Sequence, residues 1–69
     1  MKHYLFELLC GEYEGEEFIV GADSYHEARE TAEGIAREAD SVNNNGLAIF
    51  RYWHELTEEE AEMSGLDEY

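Results

Sequence analysis

Hydrophobic and polar positions alternate from the start of the chain. Between Lys2 and Cys10, the residues Tyr4, Phe6, Leu8 and Cys10 share one side, with Leu5, Glu7 and Leu9 on the other. A period of two predicts a β-strand. Gly11–Glu16 supplies a glycine-containing turn, and Glu17–Ala22 returns with Phe18, Val20 and Ala22 on one face. A β-hairpin is the simplest connection. The period then lengthens. Ser24 and Glu27 have the spacing of a capping box. Tyr25, Ala28, Ala32, Ile35, Ala36 and Ala39 recur every three or four residues, the stripe of a helix of about four turns. Its small alanines let the helix sit close on a sheet. Asp40-Ser41 and Asn43-Asn44-Asn45-Gly46 end it, because Asp, Asn and Gly tolerate left-handed conformations.

Leu47–Glu55 is the third candidate strand, rich in the aromatic residues that strands favour. Thr57 and Glu60 form a second capping-box pair, Leu56 and Ala61 are spaced as a hydrophobic staple, and Gly65 suits a left-handed close. A short helix from Glu58 to Ser64 follows, with Leu66 folding back to anchor it. The order β-β-α-β-α predicts an α+β fold. A right-handed crossover over the long helix sets the third strand beside the first, giving a three-stranded antiparallel sheet of order 2-1-3 with one face covered by that helix. Residues 1–69 are read as one domain. The other face carries Leu5, Leu9 and Ile19, and the third strand is apolar on both sides: Leu47, Ile49 and Trp53 against Ala48, Phe50 and Tyr52. A sheet apolar on both faces needs a second cover. Partial cover by the C-terminal segment is expected, with a symmetric dimer or a partner as the alternatives.

Composition changes the picture through charge. Eighteen acidic side chains face four basic ones, a formal net charge of −14. At this length net stability is thin, and self-repulsion lowers it further while favouring solubility. A hydrophobic fraction of 43% argues against a disordered acidic tail. No run approaches the ~20 apolar residues of a membrane span, and no basic-then-apolar leader opens the chain. Cys10 has no second cysteine to pair with, so a reducing cytoplasm is the expected compartment. Direct nucleic-acid binding is disfavoured, because phosphate neutralisation needs lysine and arginine. The expected partner is instead a basic protein.

The charge is segregated. Residues 11–17 hold Glu12, Glu14, Glu16 and Glu17 with no base. Residues 55–69 hold Glu55, Glu58, Glu59, Glu60, Glu62, Asp67 and Glu68, again with no base. A hydrated, solubilising face is the ordinary reading of any one such run, and Glu58–Glu60 also meet the positive end of a helix dipole. The spacing adds a second reading. Alternate residues of an extended strand lie about 6.6 Å apart on one side, so Glu12, Glu14 and Glu16 are expected to line up as one rail of carboxylates. Glu55, Glu59 and Glu62, with Glu58, are expected to form another on successive helical turns. Rails of this kind resemble a phosphate backbone in sign and scale, and a groove lined with lysine and arginine would be steered onto them. The candidate partner-binding residues are therefore these glutamates with Glu17, Asp67 and Glu68, and Tyr13 as an aromatic contact between them. A cross-strand contact stabilising the turn is the equal alternative for Tyr13. Tyr69 ends the acidic tail in a comparable setting.

In size, charge and α+β layout the whole chain resembles the small acidic proteins with which bacteriophages block nucleic-acid-handling machinery, anti-CRISPR proteins among them, several of which are DNA mimics. The resemblance carries no diagnostic motif, so no residue role is transferred with it. It implies inhibition of a basic DNA-reading surface, for example the DNA-recognition subunit of a type I CRISPR surveillance complex. It also implies the cytoplasm of a phage-infected or prophage-carrying bacterium. The chain itself is expected to be a monomer or homodimer. A protein-interaction or oligomerisation module working through the uncovered apolar sheet face is the alternative.

Other chemistry is expected to be absent. Ser41–Gly46 has oxygens at alternate positions and glycine sixth, yet position one is serine and position twelve is Tyr52, so the calcium-loop reading fails. Cys10, His3, His26 and His54 show no paired zinc-ligand spacing. His54 reads as an edge residue and Cys10 as a small core hydrophobe. No nucleophile elbow or phosphate loop is present, so no enzyme activity, metal or cofactor is expected.

Overall fold

The computed structural model describes residues 1–69. Strand β1 (Lys2–Leu8) lies between β2 (Glu17–Ala22) and β3 (Phe50–Leu56), antiparallel to both, so the sheet order is β2-β1-β3. Helix α1 (Tyr25–Glu38) bridges β2 and β3, and α2 (Glu58–Met63) follows β3. The expected α+β class, element order and 2-1-3 sheet are all present.

Each boundary has a local cause. Ser24 caps α1 by accepting from the Glu27 amide at 3.3 Å, and only this serine half of its capping box forms. At the other end the Ser41 amide reaches the Ala36 carbonyl and the Asp40 amide reaches that of Arg37. This is a Schellman closure, with Asp40 at φ 57° in the place glycine usually takes. At α2 both halves of the box are made: the Glu60 amide donates to Thr57 Oγ1 at 3.1 Å, and the Thr57 amide to Glu60 Oε1 at 2.9 Å. The expected staple also forms, since Leu56 and Ala61 are buried together.

The strand ends differ from expectation. β1 stops at Leu8 because Leu8 closes the hairpin, donating to Glu16 and accepting from Gly15. Cys10 is consequently half-buried in the loop region, its Sγ 3.5 Å from the Val42 carbonyl, and is not part of the core stripe. β3 starts at Phe50 and not at Leu47, because the preceding backbone is already engaged. Asn43 Oδ1 accepts from the amides of Asn45 and Leu47, and the Ile49 amide donates to Ser41. Ser41 is fully buried, and its hydroxyl donates to the Ile49 carbonyl.

The face beneath α1 holds the main core: Tyr4, Phe6, Leu8, Phe18 and Val20 packed under Ala28, Ala32 and Ala36. Phe6 and Phe18 stack at 5.8 Å, and Tyr52 meets Tyr4, Phe6 and Tyr25 edge-on or tilted. The second face carries a smaller cluster of Ile19, Leu56 and Ala61, flanked by Leu5 and Leu66. The C-terminal segment thus supplies the partial second cover. It covers only the end of the face nearest His3, leaving Trp53 45% exposed.

Candidate functional site

The hairpin tip is a coil of successive turns. Glu14 donates to the Gly11 carbonyl at 3.2 Å and Glu16 to that of Tyr13 at 3.0 Å. The extended strand that a straight rail of Glu12, Glu14 and Glu16 requires is therefore absent, and these residues sit on a compact turn. Close packing forces the coil. Gly11, at φ 88°, lies so near the end of α1 that a Cβ there would sit 2.6 Å from the Asp40 carbonyl oxygen. Glu12, Tyr13, Glu14, Glu16 and Glu17 are all exposed. None of these acids forms an ion pair.

The tail brings a second acidic segment to the same edge. Ile19 donates to the Asp67 carbonyl at 2.9 Å, Tyr69 to Ile19 at 2.8 Å, and Gly21 to Tyr69 at 2.8 Å. Residues 67–69 thus run parallel to β2 and cover its outer edge, which would otherwise present unpaired amides. Leu66 anchors the approach from the second-face cluster. The result is a cleft of about 220 Å³ lined by Leu8, Tyr13, Glu16, Glu17, Phe18, Ile35, Ala39, Asp67 and Tyr69. Tyr69 stands edge-on to Phe18, with ring centres 6.0 Å apart.

The remaining candidate residues lie elsewhere. Glu68 turns away from the cleft and bonds His3 Nδ1 at 2.8 Å. Glu55, next to last in β3, lies opposite Tyr4, four steps of β1, or about 14 Å, from the tip at the level of Leu8 and Phe50. It sits on a strand, so it does not continue a helical rail. Glu58, Glu59 and Glu62 are exposed on α2, and only the Glu58/Glu62 and Glu59/Glu62 pairs share neighbouring turns. Glu60 is committed to the cap, where the Thr57 amide and hydroxyl hold its carboxyl below the usual glutamate range. The acidic candidates fall into two groups: a tip-and-tail group at the β2 edge and an α2 group at the opposite end.

Charges on α1 are treated differently. Arg37 bonds Glu33 at 3.0 Å and the Gly46 carbonyl at 2.8 Å, and His26 lies 3.0 Å from Glu30. Arg51 packs over Trp53, whose indole N–H donates to Glu7. Arg37, His26 and Arg51 are thus each engaged by a neighbour on α1 or β3. Tyr52, partly desolvated in the aromatic cluster and beside Glu55, has its phenol held above the usual tyrosine range. No group of three or more His, Cys, Asp or Glu side chains is arranged to hold a metal ion.

Sequence reasoning missed two contributors. The pairing of the tail on β2 has no period-two signature, because only three residues take part. Burial of Ser41 was equally hidden, although its place directly after a helix-stopping Asp marks where a hydroxyl can satisfy loop backbone. No family model, curated protein or solved structure matches this chain. No helix is long and apolar enough to cross a membrane.

Proposed function

We propose that the protein is an acidic binding protein that occupies the nucleic-acid groove of a basic protein in place of DNA, inhibiting it in the manner of a DNA mimic of the anti-CRISPR type. The observation that carries this reading is charge density on an elongated body. A formal charge of −14 is spread over a longest dimension of 37 Å, or about one charge per 2.6 Å. Duplex DNA carries one per ~1.7 Å and a single strand one per ~3.4 Å. The two cross dimensions, 22 and 16 Å, keep that charge on a narrow rod. At the tip it is left unpaired, so it is available to a cationic groove.

The test is charge reversal in two sets: Glu12, Glu14, Glu16 and Glu17 to lysine, and Glu58, Glu59 and Glu62 to lysine. The wild-type chain, immobilised at low salt, is expected to retain a basic DNA-binding protein from a bacterial lysate and to release it to heparin. Each reversed set is expected to weaken that retention while far-UV circular dichroism is unchanged. Retention that survives both reversals contradicts the proposal.

A second reading, a protein-interaction module, draws on β3. This strand has no partner on its outer edge and leaves Trp53 exposed on the incompletely covered second face. Affinity through that surface would be nearly indifferent to salt, whereas a steered charge contact weakens steeply.

A further inference from the structure

The cleft between the hairpin tip and the tail is the only cavity in the molecule, and its lining is unusual for a surface dominated by repulsion. Its walls are apolar and aromatic: Phe18 at the back, Ile35 and Ala39 from α1, and Tyr13 and Tyr69 at the two sides. Those two tyrosines are 48% and 56% exposed although apolar cover is close by. Glu16, Glu17 and Asp67 also line it, although the Glu17 side chain belongs to the other face of the sheet, beside Glu7, and no lysine, arginine or histidine is among the lining. At about 220 Å³ the cleft is smaller than the ~300 Å³ at which pockets for drug-sized ligands begin. One side chain fits that space.

We infer that this cleft receives a single cationic side chain, an arginine, from the basic partner. The inference rests on the proposed binding to a basic protein and names how the partner is gripped. The occupant follows from the lining by elimination. An anion would be repelled by the acidic residues Glu16 and Asp67 of the lining. A neutral apolar group would desolvate those carboxylates without returning a hydrogen bond, which is costly. A guanidinium satisfies both halves of the lining. Its flat face stacks on tyrosine rings, and its fork donates to carboxylates in charge-assisted pairs. Its methylene stem lies along the apolar back wall. Lysine offers the charge without the planar face or the fork.

The geometry is fixed before any ligand arrives. Three backbone hydrogen bonds hold Asp67 and Tyr69 along β2, and the turn bonds at Gly11 and Tyr13 hold the opposite side. Little ordering is left to oppose binding.

The experiment titrates the ¹⁵N-labelled protein with N-acetyl-arginine amide at low salt and follows amide shifts, with the neutral isostere N-acetyl-citrulline amide as control. Arginine is expected to move the amides of Tyr13, Phe18, Ile35, Ala39 and Tyr69, and to leave residues 58–63 nearly still. Citrulline should move none of them. Tyr13→Leu and Tyr69→Leu keep apolar bulk and remove the ring, and each should weaken arginine binding roughly two- to fivefold, the effect of one exposed cation–π contact. Citrulline matching arginine, or arginine moving every glutamate-bearing segment alike, overturns the inference. The two proposals fail separately. If the leucine variants bind arginine unchanged while reversal of Glu12, Glu14, Glu16 and Glu17 still abolishes capture of the basic protein, the cleft is wrong and the acidic surface stands. If arginine binds the cleft but no basic DNA-binding protein is retained, the cleft stands and the DNA-mimic reading falls.

Discussion

The two faces of the sheet do different work. Under α1, five aromatic rings from three strands, Tyr4, Phe6, Phe18, Phe50 and Tyr52, interlock beneath three alanines that are fully buried. Under α2, one isoleucine, one leucine and one alanine form the whole buried cluster. The tip half of that second face has no cover. There Glu7 lies directly opposite Glu17, and Trp53 leans over Arg51. Cohesion is concentrated on one side, and unpaired charge is gathered at the tip beyond it. The tip therefore tolerates substitution that the α1 face does not, and a change of charge there reads out binding before it reads out folding.

Truncation in the two cores should break the symmetry between the faces most visibly. Phe6→Ala removes the fully buried centre of the aromatic cluster at a cost of about 3–5 kcal/mol, enough to unfold a domain of this size. Ile19→Ala, on the other face, should cost nearer the lower end of ~2–5 kcal/mol, because the α2 cover can settle into the space. Chemical denaturation of both variants measures the difference; equal losses would mean that the second face contributes as much as the first.

Gly11→Ala comes next. The new Cβ meets the Asp40 carbonyl in a left-handed backbone, a strain of about 1–3 kcal/mol. The thermal midpoint should fall, and amide shifts should report the change at Asp40 and Tyr13 as well as at the site itself. A tip that swings free of α1 would show neither.

Thr57→Ala should cost about 1 kcal/mol through loss of the α2 cap. Glu60, the other half of that cap, has its folded-state pKa lowered. Its share of α2 stability is fully present above the unfolded glutamate pKa, about 4.3, and is lost as pH falls through the lower folded value. In Glu60→Gln, amide exchange across residues 58–63 should lose that acid dependence. Retention of it would assign the effect to another group.

The smallest effect has the opposite sign. Like charges directly opposite in a sheet destabilise, so Glu17→Lys, which turns the Glu7/Glu17 pair into an ion pair, should raise stability by roughly 0.2–1 kcal/mol while weakening capture of a basic partner. A gain in stability bought at the expense of binding is what a surface kept charged for function predicts. A loss of stability would show that Glu17 is held by contacts of its own.

The contrast between faces was partly visible in the chain. Alternation at Tyr4, Phe6 and Leu8 and the alanine stripe of α1 gave the main core, since burial on a single face imposes a period on the residues themselves. Leu5 and Ile19 in the opposite register signalled a second cover, and the Thr57–Glu60 spacing located the helix that provides it. The straight carboxylate rail was misread because nothing in Gly11–Glu16 reveals that the end of α1 presses on Gly11 and coils the turn. The cleft was invisible for a related reason. It depends on hydrogen bonds from the Ile19 and Gly21 amides to the carbonyls of Asp67 and Tyr69, and backbone groups carry no residue identity. Tyr13 and Asp67 could be named separately as contact residues, but their meeting is a property of the folded edge.

The measurement that bears most directly on the anionic surface is the affinity of the captured basic protein for this chain as a function of salt, with its own DNA duplex as competitor. Between about 50 and about 200 mM salt the affinity should fall by roughly a thousandfold, and the chain and DNA should exclude one another. An affinity indifferent to salt, or a ternary complex with DNA still bound, would contradict the account.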